Sequence, residues 1–329
     1  MKMKKGNLII LIAGIVILLV LIAAGFLLTR SGLFQIKALA TPTLGIGSKM
    51  VSKIDGMTLM FVPSGEFGMG YRDYDSADQK YDYQFRQHFV TLDSYWIDAT
   101  EVTNAMFSKF VQETNHVTDA EKNGNGHVAL PQIYWQRVDG ATWRNPLGPD
   151  SNINGLGKHP VVQVSWNDAS AFCQWAGRRL PTEAEWEKAA RGTDMRLYPW
   201  GDSEPTGKLA NFPDMNFAKY IQLDFMKTDV DDGYTFTAPV GSYPKGASPY
   251  GVLDMAGNVW EWVNDFSGGE ELNDLPSENP TGPASGEVHV IRGASWDINY
   301  GEAAVNRQMD WPGESSASLG FRCALSSDQ

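Results

Sequence analysis

The stretch GVLDMAGNVWEWVND, Gly251–Asp265, decides how the rest of the chain is read. It sets Trp260 and Trp262 beside two glycines, the amide of Asn258 and the carboxylates of Asp254, Glu261 and Asp265. Indole rings this dense need burial, and each ring N–H needs an acceptor. The polar neighbours can be that acceptor, or they can hold a cation. The stretch is therefore expected at the centre of a core.

Around it lies a chain of 329 residues with net charge −12, long enough for one large domain or two ordinary ones. Eleven Trp, twelve Tyr and fifteen Phe can fill a sizeable core. No basic stripe is present, which argues against a nucleic-acid partner. Two cysteines are too few for a disulfide-framework miniprotein.

The first thirty residues read as a separate object. Lys2, Lys4 and Lys5 precede an uncharged apolar run from Leu8 to Leu28. About twenty such residues, at roughly 1.5 Å each, span a bilayer core. The lysines favour a cytoplasmic N-terminus, which predicts a single-pass membrane protein with its domain extracytoplasmic. A cleaved signal peptide is the alternative. The apolar run is longer than the usual h-region of about 7–15 residues, and the small-x-small site Ala38-Leu39-Ala40 lies well past its end. The expected organisation is an anchor over 1–30, a Ser/Gly/Thr/Pro linker over 31–52 and one domain over 53–329.

Within the domain, MTLMFVPSGEFGMG (Met57–Gly70) reads as two short strands around a Pro-Ser-Gly turn, and HFVTLDSYWID (His88–Asp98) alternates as a strand. Thr103–Glu113 places Met106, Phe107, Phe110 and Val111 at helical spacing, with Thr103 or Asn104 as the cap. His116–Gly157 reads as irregular. DASAFCQWAGRRL predicts a helix closed near Gly177. PTEAEWEKAARG predicts a second, which begins with Pro181, has an acidic first turn and ends at Gly192. Arg179 and its neighbour Arg178, with Glu183, Glu185 and Glu187, are expected in capping and in surface or semi-buried ion pairs. Arg196–Gln329 shows short strands, many turns and almost no helical period. No fixed-length repeat supports a solenoid or propeller. The sum is one α+β domain rich in loops.

Several of these stretches, in order, resemble one family. WRNPLGPDS, HPVVQVSWNDASAFCQWAGRRLPTEAEWEKAARG, YPWGD, TAPVGSYPKGASPYGVLDMAGNVWEWVNDF, IRGASW and LGFRCA are similar to the sulfatase-modifying-factor domain of formylglycine-generating enzymes. The likeness runs from about Met57 to Ala324. It implies a C-type-lectin-like variant fold with little regular secondary structure. The family enzyme oxidises a substrate cysteine with copper held by two thiols five residues apart, and soft thiolates suit that metal. Counting from Gly293-Ala294-Ser295, those positions hold Ile298 and Ala303, and Asn299 and Glu302 stand where the family has a histidine and a tyrosine. Copper is therefore not expected, and neither is formylglycine generation.

Four further expectations rest on the resemblance. Cys173 and Cys323 match a family disulfide, with free buried thiols or a redox pair as the alternatives. A second family disulfide is missing at both ends, Ala190 and Gln308. Structural calcium is expected at Asn211, the Phe212 carbonyl, Asp232 and the Tyr234 carbonyl, and again at Asp254, the Gly257 and Val259 carbonyls and Glu261. Their other reading is turn capping. The family cleft that takes an extended peptide maps to Ser295, Trp296, Asp297, Asn299, Tyr300, Glu302, Asn306 and Arg307, a ligand groove or an ordinary surface loop.

The five histidines show no metal-ligating spacing, and no nucleophile elbow or phosphate-binding glycine pattern is present. The expected function is a binding or accessory module recognising peptide, protein or glycan. The alternative is an oxidoreductase of the same family, acting in protein or peptide maturation through a site without copper thiolates.

Overall fold

Apolar alternation sets the strands at both ends of the domain and turn chemistry decides how they pair. In the computed structural model, which describes residues 44–70, 87–223, 228–267, 276–298 and 307–327, the N-terminal strands are β1 (Lys49–Val51), β2 (Thr58–Val62), β3 (Gly65–Met69), β4 (His88–Leu92) and β5 (Tyr95–Asp98). Helices α1 (Asn104–Thr114) and α2 (Asp119–Asn123) follow, then the hairpin β6 (Asn125–Leu130) and β7 (Tyr134–Asp139). After these come α3 (Trp166–Trp175), α4 (Glu183–Arg191) and α5 (Met215–Ile221). The chain closes through β8 (Trp260–Phe266), β9 (His289–Arg292), β10 (Arg307–Asp310), β11 (Leu319–Phe321) and β12 (Ala324–Ser326).

The chain divides into Met1–Thr43 and Leu44–Gln329. The first part, with the anchor expected over Leu8–Leu28, lies outside the described residues. Among the described residues no helix is long and apolar enough to cross a membrane. β1 takes in Lys49–Val51, at the end of the stretch read as linker.

The described strands form two four-stranded sheets, ordered β1-β2-β5-β12 and β10-β9-β8-β11, and two hairpins, β3-β4 and β6-β7. The α+β expectation is met. The two strands expected in Met57–Gly70 are present but enter different sheets. β2 pairs with β1 and β5, and β3 pairs with β4. His88–Asp98 is likewise two strands rather than one. It breaks at Asp93-Ser94, where the Asp93 N–H donates to Asn279 Oδ1 at 2.8 Å.

The helix signals act locally. Thr103 caps α1, accepting from the Met106 N–H, and Asn115 ends the helix in the left-handed region. Thr182 and Glu185 form a reciprocal capping box on α4. Every residue of α4 is buried. Three elements depart from the sequence reading. α2 and the β6–β7 hairpin lie within the stretch read as irregular, and α5 lies where no helical period was read. Each is short, and each is held by caps or cross-strand pairing rather than by a long apolar period. Asp214, for example, accepts from the Asn216 and Phe217 N–H groups to start α5.

β8 runs between β9, which is antiparallel to it, and β11, which is parallel. Trp260 and Trp262 join the main apolar cluster, and Trp262 Nε1 donates to the Val164 carbonyl at 3.0 Å. The opening stretch is core, as its indole density predicts. Cys173 of α3 is bonded to Cys323, between β11 and β12, closing 150 residues with a Cα–Cα distance of 5.7 Å.

Candidate functional site

The turn Asp254–Asn258 brings the two implied metal clusters together. Asp254 and Asn258 take left-handed φ values of 57° and 63°, and Gly257 lies at 83°. A Cβ on Gly257 would stand 2.3 Å from the Asn211 carbonyl oxygen, so only glycine fits this approach. The Asn258 N–H donates to that carbonyl at 2.8 Å, and Asn211 Nδ2 donates to Asn258 Oδ1 at 3.0 Å.

On the first side, the Asp232 carboxylate accepts the Phe212 N–H at 3.1 Å and the Tyr234 N–H at 3.0 Å. The carbonyls implied as ligands therefore belong to residues that Asp232 already holds. Burial pushes the Asp232 carboxyl up to about 7, and the nearby Asp214 carboxylate adds to the shift. Asn211 is 1% exposed, and its Oδ1 has no hydrogen-bond partner among the described residues.

On the second side, Glu261 is fully buried and both its oxygens are engaged. Arg322 donates to them at 2.6 and 2.7 Å, and Trp186 Nε1 donates at 2.7 Å. This is one of the indole partners anticipated for the acidic stretch, although the indole belongs to α4. Asp254 accepts the Gly241 N–H, and burial raises its carboxyl. Val259 is buried within the third apolar cluster. Two residues that the sequence reading does not single out complete the site. Glu101 accepts from Asn258 Nδ2 at 2.7 Å, while its Oε2 is buried without a partner. Burial, and then the Asp254 carboxylate, push Glu101 well above its ordinary range. Arg322 is the one guanidinium among these three carboxylates. For Arg322 the available signal was a charge inside the otherwise apolar LGFRCA; for Glu101, which lies between β5 and α1 in the polar DATEVTN, no local signal marked it. Among the described residues, no three His, Cys, Asp or Glu side chains converge as a metal cluster.

The charges around α4 are more buried than the sequence suggests. Arg292 and Arg307 both donate to Glu183, at 3.1 and 2.8 Å, and Arg292 also reaches Glu187 at 2.6 Å. Arg191 donates to Glu187 at 2.7 Å, and Lys188 Nζ donates to the Pro63 and Gly65 carbonyls at 3.0 and 2.8 Å. Arg178 pairs with Asp98 and Asp55. Burial lowers Lys188 to about 8. His159 is held in its loop, with Nδ1 3.0 Å from Thr237 Oγ1.

Of the eight residues of the implied groove, the four that are described are interior rather than surface. Ser295 and Trp296 are buried, and Arg307 is 3% exposed and held by Glu183. Asp297 is also fully buried. It accepts from Ser295 Oγ and, at 3.0 Å, from Trp135 Nε1 of β7. Trp296 packs against Phe217, Phe236 and Trp135. The physical reason is convergence from elsewhere in the chain: Trp135 of the unforeseen hairpin, Phe217 of α5 and the loop residue Phe236 enclose Trp296, and Glu183 of α4 holds Arg307. Asn299, Tyr300, Glu302 and Asn306 lie outside the described residues, as does Ala303. Ile298 packs against the main apolar cluster.

A family model described as the sulfatase-modifying factor enzyme 1-like domain matches residues 48–327. The chain belongs to this family. Over 299 residues it is 42% identical to the formylglycine-generating enzyme of Streptomyces coelicolor, covering 81% of this chain and 88% of that protein. It is 36% identical over 292 residues to the mouse protein named inactive C-alpha-formylglycine-generating enzyme 2, covering 82% and 85%. Among solved structures, PvdO from Pseudomonas aeruginosa superposes with a TM-score of 0.65 at 26% identity, covering 86% of this chain and all of that one. In this sulfatase-modifying-factor chain both cysteines of the sequence are spent in one buried disulfide. The residue set around Ile298 therefore does not fit a copper dithiolate.

Proposed function

We propose that this chain is a membrane-anchored, extracytoplasmic member of the formylglycine-generating-enzyme family that acts as a binding or accessory module and does not make formylglycine. One observation carries the reading. The only two thiols in the sequence are bonded to each other in the core, and Ile298 packs as an apolar side chain where the resemblance expects the first thiol. A soft-metal oxidation needs free thiolates. A relative named inactive at 36% identity is in keeping with this role. The apolar run Leu8–Leu28 behind three lysines supports the anchor, and a disulfide is at home outside the cytoplasm.

The ligand is peptide, protein or glycan, and an extended peptide has one feature in its favour. β10 ends its sheet among the described residues, and Met309 and Trp311 at that edge are exposed. An open strand edge can accept a further strand through its backbone.

Calcium would be structural. The unpartnered Asn211 Oδ1 and the buried Asp232 carboxylate fit a hard cation, with the Phe212 and Tyr234 carbonyls as further oxygens. At the second set, Asp254 with the Gly257 and Val259 carbonyls fits less fully, because Glu261 is already satisfied by Arg322 and Trp186.

The test is oxygen uptake by the copper-loaded full chain with a Cys-x-Pro-x-Arg peptide. No turnover is expected, and measurable aldehyde formation would overturn the reading.

A further inference from the structure

One cavity, of about 570 Å³, lies between segments far apart in sequence. Its walls come from the β4–β5 turn, the start of α4, the exposed Asn264 of β8, the Asn279–Thr281 loop and the end of β12. This volume is within the ~300–1,000 Å³ of small-molecule sites. None of its wall residues belongs to the metal clusters or to the Ser295–Arg307 region.

The walls are tied together by the fold. Asn279 accepts the Asp93 N–H at 2.8 Å and returns Nδ2 to Asp93 Oδ2 at 3.0 Å. The Ser94 and Ser327 hydroxyls are bonded at 2.8 Å. The backbones of Arg179 and Ala324 exchange hydrogen bonds of 3.0 and 2.7 Å. A cavity held this way loses little entropy when it is filled.

Its chemistry is selective. Arg179 meets Glu185 through two parallel contacts of 2.6 and 2.7 Å, and its side chain remains 41% exposed. Its Nη groups are also taken up by the Leu180 carbonyl and Ser326 Oγ, so the donors and acceptors the cavity offers side by side are the amide of Asn264 and the hydroxyl of Thr281. Leu92, Tyr95 and Pro280 give the same cavity a buried apolar side. Two carboxylates, Asp93 and Glu185, outnumber the single guanidinium, which disfavours an anion. An extended peptide has no free backbone edge here, since Thr91 is bridged to Glu278 and Arg179 to Ala324. A pyranose matches what is left. Its adjacent hydroxyls both donate and accept, and its C–H face is apolar.

We propose that this cavity binds a neutral saccharide unit. The probes are glucose, galactose, mannose and N-acetylglucosamine, offered to the full chain in saturation-transfer NMR, with glucose 6-phosphate as the anionic comparison. Cellotetraose and chitotetraose separate the two sources. Tighter binding of a tetramer than of its monomer identifies a glycan chain, and equal binding identifies a free sugar.

At least one neutral probe is expected to bind. Asn264→Leu and Thr281→Val should each weaken it by about tenfold, the scale of one lost hydrogen bond. Both side chains are exposed, so an unchanged melting temperature confirms that the variants fold. The proposal is overturned if none of the neutral probes binds at about 10 mM, ten times a dissociation constant of ~1 mM. It is equally overturned if binding survives both substitutions, or if glucose 6-phosphate binds more tightly than glucose.

Discussion

Breaking the Cys173–Cys323 bond should lower the melting temperature by an amount that can be worked out beforehand. The bond closes 150 residues. In the chain-entropy model a loop of that size gives about 5 kcal/mol, by restricting the unfolded chain. The family match spans 48–327, or about 280 residues, and at ~2.1 cal/mol/K per residue the unfolding entropy is about 0.6 kcal/mol/K. The ratio is a fall of about 8 °C. The assay is calorimetry of the full chain, oxidised and then held reduced. The reduced protein keeps both sulfur atoms in the core, so the comparison isolates the crosslink from packing. The double variant Cys173→Ala/Cys323→Ala should fall at least as far, because both side chains are fully buried and truncation removes contacts as well. A fall below about 3 °C in both would refute the loop-entropy reasoning.

Two further outcomes follow from the buried charges. Glu261→Gln should cost about 3–5 kcal/mol in urea denaturation, because it leaves Arg322 buried without its carboxylate, and a loss under about 1 kcal/mol would show that the pair is not what holds this seam. Calcium added to chelator-washed protein should raise the melting temperature at pH 8, and Asp232→Asn should abolish most of the gain. Because Asp232 is raised from 3.8 to about 7, its protonated form favours the metal-free fold below pH 4, and that contribution is lost as pH rises through 7. Calcium competes with this proton, so its effect should shrink from pH 8 to pH 6. A gain independent of pH, or none at about 1 mM calcium, would sink the metal reading at Asp232.

Much of the candidate site was legible because its residues are neighbours in sequence. Asp254, Gly257, Val259 and Glu261 sit in one turn and one strand, and the turn needs left-handed backbone that the Gly and Asn residues of the stretch permit. Cys173 and Cys323 could be paired from the resemblance, and the structure joins them. Glu101 and Arg322 could not be ranked in the same way. Arg322 is one charge in an apolar stretch and Glu101 one acid in a polar turn, and only convergence from 61 and 157 positions away makes them partners of Glu261 and Asn258. The burial of the described groove residues was missed for a related reason. Ser295, Trp296 and Arg307 are polar or amphipathic, which reads as surface, but neighbours contributed by α4, α5 and β7 bury them.

By itself the sequence determined the family, the α+β class, the burial of Trp260 and Trp262, the start of α1 to within one residue, the acidic first turn of α4, and the absence of any thiol beyond one pair. These depend on local spacing, on composition, or on ordered motifs, and none needs to know which segments touch. Tertiary structure decided the rest. It split Met57–Gly70 and His88–Asp98 between separate sheets, sealed the region around Trp296, and made Glu261 the meeting point of Arg322 and Trp186. Burial and charge pairing belong to the space between segments, so a residue read by its own chemistry shows what it can bond, and the fold alone shows what it does bond.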